Sequence, residues 1–152
     1  MNAFAIDSFT GIVSHALERM AFVIAEPSEA PPAAALAECV AHANIVLRGL
    51  GQHTLTVAAT PGMVREFASG MLGVDVDEVD VAEHADAAVG ELANVLAGEL
   101  VMMATAGDSP ASLGLPRQIA AAEAAQQLAV AEATGFCVVL QSDLGKLIVL
   151  VS

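Results

Sequence analysis

Apolar residues in the stretch "DSFTGIVSHALERMAFVI" fall at Ile12, Val13, Ala16, Leu17 and Met20. That is the spacing of a helix with one buried face, and Asp7 or Ser8 offers a cap for its start. The next segment, "AEPSEAPPAAA", has no period and is rich in proline and alanine, so a loop is expected. β-Branched and aliphatic residues then gather in "NIVLRGL" (44–50) and "HTLTVAAT" (53–60), two strands around a hairpin turn at "GLGQH". Thr60 is placed to cap a helix that opens on Pro61, a first position where the missing N–H loses nothing. Val64, Phe67 and Met71 or Leu72 share one face of that helix, and Gly73 is its natural stop.

A second long helix is expected over 81–105. After "GDSPASLGLP", the stretch "RQIAAAEAAQQLAVAE" has helix propensity but no decisive period. The chain closes on "GFCVVLQSDLGKLIVLVS", two apolar strands around the turn "SDLGK". Helices and antiparallel hairpins alternate, which indicates an α+β fold: one antiparallel sheet with long helices packed against it. A long helix followed by a strand hairpin occurs once in each half, a faint internal duplication. The length, 152 residues, suits a single domain spanning 1–152.

Turning the long helix by 100° per residue separates two faces. Ala85, Ala88, Val89, Leu92, Val95, Leu96 and Met103 form a core stripe. Glu83, Ala87, Gly90, Glu91, Asn94, Ala97, Gly98 and Val101 form the opposite face. There Glu91 and Asn94, three apart, project side by side from a bed of alanine and glycine. Each mid-helix glycine is unfavourable by about 1 kcal/mol relative to alanine, so something should offset it. Either Gly90 and Gly98 admit another helix of this protein, or they make a flat platform on which a partner's backbone sits. Glu99 falls on the apolar stripe and must be paired, lie past a bend, or mark an imperfect assignment of faces.

Charge narrows the partners. The net charge is -13 with five cationic residues, Arg19, Arg48, Arg65, Arg117 and Lys146. Nucleic acid and anionic membranes are bound through cations that this chain lacks, so a partner should present a basic or mixed face. No run of about 18 uncharged apolar residues occurs, so no membrane span is expected. With no cationic region and an early Asp7 at the start of the chain, no secretory signal is expected there. Two cysteines, Cys39 and Cys137, fit no metal spacing, and the cytoplasm is the expected compartment. The run "DVDEVDVAEHAD" fails as an EF-hand, with Val79 and Asp80 where a loop needs oxygen and glycine. It is expected to be a solvated lead-in to the long helix, its carboxylates complementing the helix dipole. His15, His42, His53 and His84 show no cluster.

The segment "FASGMLGVDVDEVDVAEHADAAVGELANVLAGEL", with Pro116 in "SLGLPRQ" beyond it, resembles the centre of the CheX/CheC/FliY family of chemotaxis phosphatases. The shared pattern is a helix ending in Met-Leu-Gly, an acidic connector, then a helix bearing Glu, two positions and Asn, here Glu91 and Asn94. Where the family carries an acidic or serine residue four positions before the glutamate, this chain has Ala87. The first helix lacks the Glu/Asn pair, which resembles CheX with one site more than CheC with two.

The resemblance implies a CheC-like fold and a phosphatase acting on the aspartyl phosphate of a CheY-type receiver. On that reading Asn94 orients the attacking water and Glu91 docks on the receiver's lysine. It also implies no cofactor of the chain's own, a Mg²⁺ ion in the partner receiver, and a homodimer, for which the apolar strand "KLIVLVS" could supply an edge. Pro116 is read as fixing a strand end or loop, with substrate contact as the other option, and Arg117 as a residue that could touch the receiver. A different class of function, a catalytically silent module that docks on a receiver or motor-switch protein, is kept open by Ala87. A small-ligand binding domain is a third option, for which no convergent polar pocket is visible.

Overall fold

The computed structural model describes residues 6–49, 51–105 and 112–152. Residues 1–5, Leu50 and residues 106–111 lie outside the described residues. Two hairpins form the centre of the sheet: β2 (Ala41–Arg48) with β3 (Gln52–Ala59), and β6 (Phe136–Gln141) with β7 (Lys146–Val151). β3 pairs with β7, from Leu55↔Val151 to Ala59↔Leu147, so the hairpins join side by side. Two-residue strands finish the edges: β1 (Glu26–Pro27) on β6, and β4 (Ser112–Leu113) and β5 (Arg117–Gln118) on β2. Every pairing is antiparallel, in the order β1-β6-β7-β3-β2-β4. β7 therefore lies inside the sheet, paired on both sides. The terminal strand cannot offer the edge expected of it, because both rows of its backbone groups are taken.

Alternation along the strands divides their side chains between two helical layers. Ala43, Ile45, Leu47, Leu55, Val57, Leu147 and Val149 turn to a core made with α1 (Ile6–Ala21), α3 (Pro61–Leu72) and α4 (Val81–Thr105). Ala58, Val139, Ile148 and Leu150 turn the other way, under α2 (Pro32–Ala37) and α5 (Ala121–Thr134). The expected α+β sheet is present, with helices on both of its faces. The halves α1-β1-α2-β2-β3 and α4-β5-α5-β6-β7 repeat one order of elements, and each lends an edge strand to the other's hairpin. α1 lies over β6, where the Phe9 and Phe136 rings meet edge to face at 4.7 Å.

Local chemistry explains the bounds of α3. Thr60 Oγ1 accepts from Met63 N at 3.5 Å, Pro61 opens the helix, and Gly73 closes it at φ 70°, with its N–H on Ser69 O. The same hydroxyl accepts from Lys146 N at 2.9 Å, tying the start of α3 to β7. At Gly70 a Cβ would stand 1.7 Å from Ala21 O, so glycine is what lets α3 press against the end of α1.

Two expectations change, and one stretch left open takes its form. The segment expected as a loop holds β1 and α2; Pro32 starts that short helix, and Ala35 and Leu36 are its buried residues. The stretch without a decisive period is strand β5 and then helix α5. Asp7 and Ser8 stand within the first turn of α1 rather than capping it. Among the described residues, no helix is long and apolar enough to cross a membrane.

Candidate active site

The acidic run leads directly into α4. Val76–Glu78 make a 3₁₀ turn, and Asp80 Oδ1 accepts from Ala82 N at 3.1 Å, capping the first turn of the long helix. Arg65 of α3 donates to Val79 O at 3.1 Å and Val76 O at 3.5 Å, pinning the turn. α4 then runs from Val81 to Thr105, the range expected from the sequence.

Its buried stripe is Ala85, Ala88, Val89, Leu92, Ala93, Leu96, Ala97 and Leu100, an unbroken three-and-four repeat. Four assignments shift: Ala97, expected outside, is fully buried, and Val101, also expected outside, is half-buried against the core, while Met103, expected inside, is 44% exposed and Val95 is only half-buried. The rest of the outer face stands. Glu83, Ala87, Glu91 and Asn94 are exposed, and Gly90 and Gly98 are half-buried. Neither the Glu91 carboxylate nor the Asn94 carboxamide has a hydrogen-bond or ion-pair partner among the described residues.

The two glycines decide between the readings of this face. A Cβ at Gly90 or at Gly98 would meet nothing within 4 Å, so among the described residues no other element uses their smallness. Gly70 shows what an internal close approach looks like, and the α4 glycines do not share it. The ridge is open, low and bare, with a carboxylate and a carboxamide standing from it.

Glu99 is paired. Its Oε1 lies 3.1 Å from Arg19 Nη2 on α1, across the seam of the two long helices. Three further cations are engaged within the chain: Arg65 on its carbonyls, Arg117 on Glu123 at 2.6 Å, and Lys146 on Glu38 at 2.9 Å. Among the described residues no cation pairs with Glu91, while Glu83 on the same face lies 3.9 Å from His84 Nε2 and the exposed Asp86 flanks the ridge. Pro116 sits between β4 and β5 at the sheet edge, and Leu115 before it is 88% exposed.

Sequence reasoning missed one feature. Met71 and Leu72, one or the other of which was expected on the buried face of α3, are 47% and 54% exposed. With Phe67, Ala68, His84, Ala87, Ala88 and Glu91 they line an apolar groove of about 180 Å³ between α3 and α4. The signal was a surplus of large apolar residues in the last turn of α3, beyond what its core stripe can use. Elsewhere, His42 is buried on the α5 side of the sheet with Nε2 unpartnered, and burial lowers its pKa against the opposing pull of Asp86. Cys39 and Cys137 are free thiols, each pushed up to about 12, chiefly by burial.

Solved structures with this arrangement are similar in fold. The chemotaxis protein CheX of Desulfovibrio desulfuricans matches with a TM-score of 0.65 at 15% identity, over 96% of each chain. CheX of Vibrio vulnificus matches with a TM-score of 0.64 at 14% identity, over 97% of this chain and 95% of that one. A Borrelia burgdorferi CheX, solved in complex with CheY, BeF3 and Mg²⁺, matches with a TM-score of 0.60 at 14% identity, over 96% of each chain. Among curated proteins, none matches the chain significantly. The family model of the chemotaxis phosphatase CheX matches residues 41–140, a span that contains all of α4 and its open ridge, and this chain belongs to the CheX family.

Proposed function

We propose that this chain hydrolyses the aspartyl phosphate of a CheY-type response regulator, with Asn94 and Glu91 as the residues that reach into the receiver. The observation that carries the reading is the open ridge of α4, where these two side chains stand unpartnered among the described residues, over glycines that no described element packs against. Family membership and the complex of the Borrelia relative with CheY, BeF3 and Mg²⁺ support the choice of substrate. In such a complex the fluoroberyllate stands in for a phosphoryl group.

The chemistry asks for positioning. A water oxygen attacks phosphorus in line with the aspartyl oxygen, the P–O bond to aspartate breaks, and inorganic phosphate and a free carboxylate result. The water's surplus proton leaves with the phosphate or to solvent. A carboxamide suits the task because it offers one acceptor and two donors and does not titrate, so it can hold a water and aim it. Placing that water contributes several kcal/mol to lowering the barrier. Glu91 pairs with the receiver's lysine and sets the register, an interaction that orients more than it binds. The Mg²⁺ ion belongs to the receiver. The bare ridge lets α4 lie close enough for a short side chain to reach the phosphoryl group.

Phosphate release from a phosphorylated CheY-type receiver tests the reading. Asn94→Ala should lower the stimulated rate by about 100-fold, or ~2.7 kcal/mol, with receiver binding retained. Unchanged stimulation would contradict it. Ala87, which leaves no acid beside Glu91, favours a second reading, a silent receiver-binding module. Binding without any stimulation by the native chain would select that one. The cytoplasm, where such receivers act, is the compartment consistent with this function. A homodimer, if formed, must use a surface other than the edge of β7, and light scattering measures it.

A further inference from the structure

The groove beside Glu91 lies between α3 and α4. Its lining joins buried Phe67, Ala68 and Ala88 to exposed Met71 and Leu72 on the last turn of α3 and exposed Ala87 on α4, with His84 and Glu91 as its polar members. The groove is therefore an apolar slot open to solvent. Its volume of about 180 Å³ accommodates one large aliphatic or aromatic side chain. A methyl group at position 87 keeps it apolar; a carboxylate there would project into it.

We propose that this groove is a specificity pocket that receives an apolar side chain of the receiver, next to the receiver's phosphorylated site. The inference rests on the α4 ridge being the catalytic face. Glu91 belongs to both features, lining the groove and forming half of the ridge pair. A receiver seated low enough for Asn94 to reach its phosphoryl group must also cover Ala87, one turn before Glu91, and so closes the slot. The surroundings set the rest of the match. The exposed carboxylates of Asp75, Asp77, Glu78, Asp80, Glu83 and Asp86 rim this end of α4, and Arg65 nearby is spent on backbone carbonyls. The fitting partner surface is an apolar knob with lysine or arginine beside it. Such a contact, buried at the centre of a polar rim, is the arrangement that carries binding energy in protein interfaces.

The test uses the full chain and a phosphorylated CheY-type receiver, titrated to separate half-saturation from the rate at saturation. Two opposite changes are made: Met71→Gln with Leu72→Gln opens and wets the groove, and Ala87→Leu fills it. All three positions are exposed, and an unchanged thermal melt confirms folding. The expected result for both is a rise of about tenfold or more in the half-saturating concentration, with the saturated rate changed far less. Asn94→Ala should show the reverse split. Half-saturation unchanged in both groove variants, while Asn94→Ala abolishes stimulation, overturns the pocket and leaves the catalytic reading standing. A rate untouched by Asn94→Ala, with binding weakened by the groove variants, sinks the catalytic reading and keeps a receiver dock. A change in oligomeric mass by light scattering, with receiver binding unaltered, assigns the groove to a second copy of this chain and also overturns the proposal.

Discussion

The two long helices hold equivalent places in the two halves of the molecule, and they differ in what they show to solvent. In α1 the buried Phe9, Val13, Ala16 and Leu17 have the same spacing as Ala85, Val89, Leu92 and Ala93 in α4. On that register His15 and Glu18 of α1 stand where Glu91 and Asn94 stand in α4, and all four are exposed. Gly11 of α1, like Gly90 and Gly98, has open space where a Cβ would be. The fold thus raises a bare helical ridge twice. At this register α4 carries a carboxamide where α1 carries Glu18, and α4 has the acid-rimmed apolar groove along its flank. Exposure comes from the architecture; chemistry comes from which residues happen to occupy it.

Substitutions that probe the glycines break this comparison most sharply. Gly70→Ala should destabilise the fold by about 3 kcal/mol or more, since backbone would have to move to clear the Cβ; denaturant unfolding measures it. Glu91→Ala should raise the half-saturating concentration of phosphorylated receiver by about tenfold, ~1.4 kcal/mol, whereas His15→Ala should leave it unchanged. Gly90→Ala should do what Gly70→Ala cannot, stabilising the chain by about 0.5–1 kcal/mol while weakening receiver engagement, because the ridge is raised by a methyl group. If Gly90→Ala leaves the phosphatase rate and the half-saturation intact, the platform has no function. The smallest effect is expected at the seam of the two helices. Arg19→Ala removes a half-exposed ion pair with Glu99 and should change stability by at most about 1 kcal/mol, an effect that fades in salt.

His42 lends the sheet a pH dependence. Burial lowers its folded pKa below the ordinary 6.5, so the folded state resists protonation more than the unfolded chain does. Its contribution to stability is constant above about pH 6.5 and declines as pH falls through that value towards the folded one. Urea midpoints at pH 8, 6 and 5 should show this decline, and His42→Gln should flatten it.

Much of this was legible in the chain, for reasons that can be named. Thr60, Pro61 and Gly73 state the ends of α3 through local chemistry alone, and α4 is long and periodic enough to mark its own limits. The hairpins announce themselves by β-branched runs around glycine turns. β1 and β5 could not be read, because two residues carry no period; their pairing is created by the neighbouring strand. α2 was masked by prolines that also suit loops. Ala97 went to the wrong face because a small side chain near the boundary of a helical wheel says nothing about which side it prefers. At the site, the projection of Glu91 and Asn94 followed from helix geometry. That the ridge is unoccupied did not, since only tertiary structure shows what lies above Gly90 and Gly98. The groove was hidden for the same reason: its walls come from two helices separated by the acidic turn, and Met71 and Leu72 look like core residues until α3 is docked.

The most direct test is the single-turnover decay of one phosphorylated CheY-type receiver in the presence of excess chain, comparing a change on each ridge. The account predicts that Asn94→Ala returns the decay close to the receiver's own rate, while the double change His15→Ala with Glu18→Ala leaves the stimulated rate intact. Stimulation that survives Asn94→Ala, or that is lost with the α1 pair, would contradict it.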